Sequence, residues 1–220
     1  MCGRFVNLNS INKVKNKFDI KNILFSKKDF LSYNISPSQN VNIILKNKFL
    51  SIESVNWGIQ FFDKTEYKNR KLINSRLETI NKKIIFKDSF IDKRCLIPAN
   101  GYYEWTFENN IKIPYFFQIP NLETIYFAGI WKNSVVGGFK KKTFSIITKN
   151  AHISIKHIHQ RMPLILSFEE ANKFIDNCYN FPKQDFISDL ENILDYFPVS
   201  NFVNSQRNNS IKCIEPLKYL

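Results

Sequence analysis

The sequence predicts an α+β fold, on three observations. Strand-like segments come in runs, helical segments fall between only some of them, and no linker or internal repeat interrupts the chain. Alternating βαβ units, the mark of a parallel sheet, do not describe this order. At 220 residues the chain can bury a substantial core, so a single domain spanning residues 1–220 is expected.

Residues 2–7 read as a short strand leading into a helix capped by Ser10, with Ile11, Val14 and Phe18 on one face. Tyr33-Asn34-Ile35-Ser36-Pro37 is extended or turn-like, because the residue before proline avoids the helical region. Val41–Leu45 and Phe49–Trp57 form a hairpin over Lys46-Asn47-Lys48. Asp63–Lys71 is polar, charged and aperiodic, and a mobile loop is expected there. The stretch up to Lys93 suits short helices, with Phe86 and Phe90 four residues apart. Arg94–Pro98 and Tyr102–Phe107 read as strands joined at the turn signal Ala99-Asn100-Gly101. Strands continue at Ile113–Ile119, Ile125–Trp131 and Thr143–Thr148, with loops at Pro120-Asn121 and Val136–Phe139. Ala151–Pro163 is irregular and holds all 3 histidines, and Pro163–Leu166 is a short apolar strand. Ser167-Phe168-Glu169-Glu170 is a capping box that starts a helix running to about Asp176. Asp185–Leu194 is expected to form another helix.

Hydrophobic content of 44% with 23% charged residues is that of a soluble globular chain, and no apolar run approaches a membrane span. The net charge of +13 attracts polyanions, of which phosphate backbones are the commonest. Cys2, Cys95, Cys178 and Cys213 are widely spaced and give little support to a zinc site. The expected setting is a reducing cytosol, with no signal peptide, which keeps Cys2 a free thiol.

Cys2 follows the initiator methionine, and its small side chain permits removal of Met1. The result is an α-amine and a thiol on one residue, with ordinary pKa values of about 8 and about 8.5. Such an aminothiol has one distinctive reaction: it condenses with an aldehyde and closes to a thiazolidine. Four short signatures could serve it: Cys2-Gly3-Arg4-Phe5, Asn74-Ser75-Arg76-Leu77-Glu78, Gly101-Tyr102-Tyr103-Glu104-Trp105 and His159-Gln160-Arg161-Met162-Pro163.

With Tyr33-Asn34 and Pro37, Trp57-Gly58 and the run Arg94-Cys95-Leu96-Ile97-Pro98-Ala99, these signatures make the whole chain resemble the SRAP family, named for SOS-response-associated peptidase. The resemblance implies a compact α+β domain with a twisted, barrel-like, mainly antiparallel β core, peripheral helices and a basic cleft. It implies covalent capture of abasic sites in single-stranded DNA through a thiazolidine on Cys2, with self-release of the cross-link and autoproteolysis at the N-terminus. It also implies roles. His159 and Glu104 would move protons, Glu104 being desolvated among aromatic neighbours. Asn74 would hold the Cys2 amine, a sugar oxygen or a phosphate. Arg4, Arg76 and Arg161 are the phosphate candidates, at least two of them being expected on the DNA backbone; the alternative for each is an ion pair with a carboxylate such as Glu78. Asn34, Trp105 and Thr148 complete the DNA-binding set, Trp105 being equally a core or cleft-wall residue. Phe61 and Phe62 would stack on flanking bases or pack in the core; the proline that relatives carry before this pair is absent. His152 and His157 would order their loop. No metal or organic cofactor, no membrane, a monomer and a cytoplasmic, nucleoid-associated location are expected. Two other functions fit the same residues: a cysteine peptidase or N-terminal-nucleophile amidohydrolase using Cys2, and a noncovalent single-strand binder using the basic cleft alone.

Overall fold

The computed structural model describes residues 2–23, 31–63, 65–136, 139–176, 181–182 and 185–217. Met1, Cys178 and the centre of the expected Val136–Phe139 loop lie outside them. The first strands are β1 Phe5–Asn7, β2 Asn22–Ile23, β3 Ser32–Ile35, β4 Asn40–Lys46, β5 Leu50–Trp57, β6 Ile59–Asp63, β7 Lys68–Leu72 and β8 Asn74–Arg76. There follow β9 Arg94–Ala99, β10 Gly101–Glu108, β11 Ile111–Gln118, β12 Ile125–Val136, β13 Phe139–Asn150, β14 Arg161–Pro163, β15 Ile165–Leu166 and β16 Asp195–Pro198. The α-helices are α1 Ile11–Lys17, α2 Ile84–Asp92 and α3 Phe168–Ile175.

Strands β13, β12, β9, β4 and β5 pair in that order, and β5 returns to β13 in parallel through Thr143↔Asn56 and Phe144↔Trp57. That last pairing closes five strands into a barrel and removes its free edges. A second sheet runs β16-β11-β10-β1-β3. The core between them is aromatic: Phe5 of β1 meets Trp57 of β5 edge-on at 5.2 Å and Phe127 of β12 at 5.8 Å. Cys2 belongs to this same buried cluster. Both cap assignments hold, with Ser10 accepting from Lys13 N at 3.2 Å and Ser167 and Glu170 forming the reciprocal box.

Ala99-Asn100-Gly101 does not close a hairpin. It carries the chain from the barrel (β9) to the second sheet (β10). Asn100 makes the crossing rigid: its Oδ1 accepts from Leu8 N at 2.6 Å and its Nδ2 donates to Glu123 O at 2.6 Å. Gly101 is required by space, since a Cβ there would lie 2.3 Å from the Phe117 carbonyl oxygen. Gly101→Ala is expected to cost about 1–3 kcal/mol, read as a lowered urea midpoint with unchanged m-value.

Two expectations are corrected. The segment from Asp63 is the β6–β7 hairpin, paired from Ile59↔Leu72 to Asp63↔Lys68. Asp63 holds its turn, accepting from Thr65 N at 3.0 Å and meeting Arg70 Nε at 2.7 Å. Within 185–194 only the 3-10 turn Glu191–Ile193 is helical. Side chains there take the backbone donors that would otherwise shape a helix: Ser188 N donates to Glu191 Oε1 at 2.9 Å and Asp189 N to Glu170 Oε1 at 3.3 Å. Lys149 pins the same turn through Glu191 at 2.8 Å.

Candidate active site

Cys2 enters β1, and β1 lies antiparallel to β10 with Phe5 opposite Tyr102 and Tyr103 N donating to Arg4 O at 2.9 Å. Side chains alternate along β10, so Tyr102 and Glu104 share one face while Tyr103 and Trp105 share the other. The first face meets Cys2. Burial pushes the Cys2 thiol far above its ordinary range and the nearby Glu104 charge pushes it further, so the thiol rests protonated.

Glu104 is buried, and burial raises its carboxyl to about 7. His159 reaches it from the segment before β14, with Nε2 3.7 Å from Glu104 Oε2. Burial lowers His159, so near neutral pH the ring is neutral while Glu104 is partly protonated. His159 Nδ1 lies 3.0 Å from both the nitrogen and the carbonyl oxygen of Arg161. With Nδ1 accepting from Arg161 N–H, the ring proton sits on Nε2 and faces a carboxylate. With Nδ1–H donating to Arg161 O, Nε2 is free to accept from a protonated Glu104. The backbone thus accommodates the proton on either partner.

Asn74 arrives from β8, which pairs with β13 through Asn74↔Ile146 and Arg76↔Thr148. Trp57 anchors the approach by donating from Nε1 to Ile73 O at 2.9 Å. Ile73 and Ile146, on either side of Asn74, pack in the cluster that contains Cys2. The Asn74 amide nitrogen and oxygen are both buried with no hydrogen-bond partner among the described residues. Such a group costs about 1–3 kcal/mol until something pairs with it. The Tyr102 hydroxyl is buried in the same condition and is coupled electrostatically to Cys2 and Glu104. Sequence reading passed over Tyr102, although its spacing of two from Glu104 places it on the site face.

The three arginines divide. Arg4 is buried and donates to Asn34 Oδ1 and Val203 O, both at 2.7 Å. Asn34 in turn donates to the carbonyls of Val203, Ser205 and Asn208. Trp105 donates to Asn204 Oδ1 at 2.8 Å and stands under Arg4, the guanidinium 5.9 Å from its ring. Arg4, Asn34 and Trp105 therefore tie the start of the chain to residues 203–208. Arg161 is clamped by Glu78 in a two-pronged ion pair at 2.7 and 3.0 Å, and it also donates to Asn150 and to Thr148 O. Thr148 is fully buried beneath it. Arg76 alone of the three is exposed. On the β6–β7 hairpin Phe61 is half-buried, while Phe62 is 52% exposed and packs edge-on against the exposed Tyr67 at 6.3 Å. His152 caps a 3-10 turn by accepting from Ser154 N, and His157 Nε2 lies 3.3 Å from the Tyr196 hydroxyl, so both order their loop.

The family model described as SOS response associated peptidase (SRAP) matches residues 1–206. The chain belongs to the SRAP family. Its relatives include "Abasic site processing protein YoaM" of Bacillus subtilis, 32% identical with 98% of each chain covered. "Abasic site processing protein HMCES" of Xenopus tropicalis is 30% identical over 83% of this chain and 65% of that protein. A crystal structure of a Bacteroides thetaiotaomicron protein superposes with a TM-score of 0.80 over 98% of this chain and 100% of the other, at 22% identity. The SRAP fold thus accounts for the closed barrel and the second sheet. No helix among the described residues of this SRAP chain is long and apolar enough to cross a membrane.

Proposed function

We propose that this SRAP protein captures abasic sites in single-stranded DNA through Cys2, after removal of Met1 makes Cys2 the N-terminal residue. The observation that carries the reading is the Glu104–His159 pair, 3.7 Å apart beside a buried thiol and shifted in opposite directions. Two groups so shifted are arranged to trade a proton at neutral pH. The names of the relatives supply the substrate class, and a charge of +13 suits a phosphate partner.

The ring-closed sugar opens when its ring oxygen gains a proton and its hydroxyl loses one, exchanges within reach of Glu104 and His159. The Cys2 amine adds to the aldehyde carbon, and protonated Glu104 assists loss of the hydroxyl as water, leaving an imine. The Cys2 sulfur then adds to the imine carbon, and the thiol proton passes to the ring nitrogen. One water is lost overall. Run in reverse, the same steps release the cross-link. Asn74 offers its unpaired amide to the sugar or the amine, and Arg76 offers an exposed guanidinium to a phosphate. The reading places the protein in the cytoplasm at the nucleoid, as a monomer without a cofactor. A peptidase acting in trans ranks lower, because the charge of +13 and the exposed Arg76 suit a phosphate partner and a peptide substrate needs neither.

The test is incubation with single-stranded oligonucleotides that differ only in one abasic site. A denaturation-resistant species is expected with the lesion alone, its mass that of the Met1-free protein plus DNA minus one water. Equal adduct with undamaged DNA, or an adduct that retains Met1, would overturn the reading.

A further inference from the structure

A groove of about 730 Å³ opens at the far end of β13 from Thr148. Lys71 of β7 and Lys140, Lys141 and Lys142 of β13 line it, over a floor that includes Asn40 and Asn56. Among the described lining residues Glu53 is the sole carboxylate, and Lys142 neutralises it at 2.5 Å. Lys71, Lys140 and Lys141 meet no second carboxylate among the described lining residues. The floor is organised before any ligand arrives: Asn56 Nδ2 donates to Ser38 O at 2.7 Å, and Lys71 Nζ donates to Ser38 Oγ at 2.6 Å. Beside the lysines, Phe139 stands 72% exposed.

Two structural links join this groove to the candidate site. On β6, Gln60 lines the groove and is followed directly by Phe61 and Phe62. Along β13, Lys142 precedes Ile146, the partner of Asn74, by four residues, and Thr148, the partner of Arg76, by six. At about 3.3 Å per residue these steps are about 13 and about 20 Å, a span of a few nucleotides. Lysines that follow a backbone, beside an exposed aromatic ring, are the recurrent means of holding a single strand without reading its sequence.

We propose that the Lys71–Lys140–Lys141 groove is a second DNA contact, which holds phosphates of the strand flanking the lesion while the Cys2 site holds the lesion itself. The proposal rests on the abasic-capture reading, and it adds a place for undamaged nucleotides that this reading alone does not need. Lys140 and Lys141 are exposed and make no ion pair among the described residues, so their replacement leaves the fold and the acid–base pair untouched.

The experiment compares wild-type full chain with Lys140→Gln/Lys141→Gln protein on undamaged strands of about 20 and about 6 nucleotides, across a salt series. Undamaged DNA permits no cross-link, so noncovalent affinity is measured. On the long strand the variant's slope of log K against log salt is expected to be shallower by about 1.4, or about 0.7 per lost phosphate contact. The short strand, which also reaches the groove, should show a smaller loss of slope, and Lys141→Glu should weaken long-strand binding further. Parallel salt plots for both proteins on the long strand, with unchanged melting temperatures, would overturn the groove. Adduct yield on a short abasic strand is measured alongside. Absence of lesion-dependent adduct in the wild type would overturn the capture reading instead, and it is read independently of the slopes.

Discussion

Cys2→Ser protein is expected to yield no denaturation-resistant adduct with an abasic strand, a loss of at least about a hundredfold against the parent. The α-amine survives this change, so an imine should still form and should be trapped when a borohydride reductant is added. The missing step is ring closure. A serine hydroxyl is far less acidic and less nucleophilic than a thiol, and the site holds even the thiol protonated, since burial and the Glu104 charge both oppose the thiolate. Cys2→Ala should behave the same way, which separates loss of sulfur chemistry from the presence of a polar serine in an apolar cluster. Gel mobility under denaturing conditions, with and without reductant, reads both steps. Undiminished adduct from Cys2→Ala protein in the absence of reductant would sink the thiazolidine mechanism.

Glu104→Gln should be the slower but more stable protein. The folded state binds the Glu104 proton more tightly than the unfolded chain does, its pKa lying at about 7 against an ordinary 4.5. Stability therefore falls as pH rises between these two values, and above about pH 7 the buried carboxylate costs its full amount, about 3 kcal/mol. Glutamine keeps the shape of the protonated acid and has no charge to bury. The variant is expected to exceed the parent by up to about 3 kcal/mol at pH 8 and to match it below pH 4.5, where both side chains are neutral. Thermal melts at the two pH values check this, and an equal difference at both would contradict the assigned burial. Adduct formation should move the other way, falling by about 10²–10⁴ with loss of the acid–base group. The parent's pH–rate profile should bend near pH 7, and the variant's should lose that bend.

Much of this arrangement was legible in the sequence, for local reasons. The two capping sites are written within four residues each, and the β4–β5 hairpin is marked by Lys46-Asn47-Lys48 between two apolar runs. Glu104 and His159 were singled out by their family motifs; the desolvation expected of Glu104 among its aromatic neighbours is seen in its burial, and the fold sets the His159 ring 3.7 Å from it. The seats of the arginines were not. Glu78 was named as a carboxylate that could pair with an arginine, but its partner Arg161 lies 83 residues away in the chain and Val203, which binds Arg4, lies 199 away. No local pattern encodes such pairs. The β6–β7 hairpin stayed hidden because neither of its faces is buried enough to impose alternation. In 185–194, the Ser188 hydroxyl and the Glu170 and Glu191 carboxylates accept from the backbone donors of Leu190, Asp189 and Ser188, and propensity alone cannot show that. The lysine groove reads in sequence as a solvated charge run, and only the fold brings Lys71 to it.

The tie between Arg4 and Val203 has a consequence in time. During synthesis Arg4 is made long before Val203 and must wait for a carbonyl about two hundred residues later. Glu104 and His159 emerge at intervals between. At about 5–20 residues per second, that wait is about 10–40 s. On the proposed reading, the N-terminus stays open during this wait to the processing that removes Met1, and the aminothiol gains its acid–base partners one at a time. On that reading the site becomes competent only when nearly the whole chain has been made, and assembly order itself would keep the nascent protein from reacting with stray aldehydes at full rate.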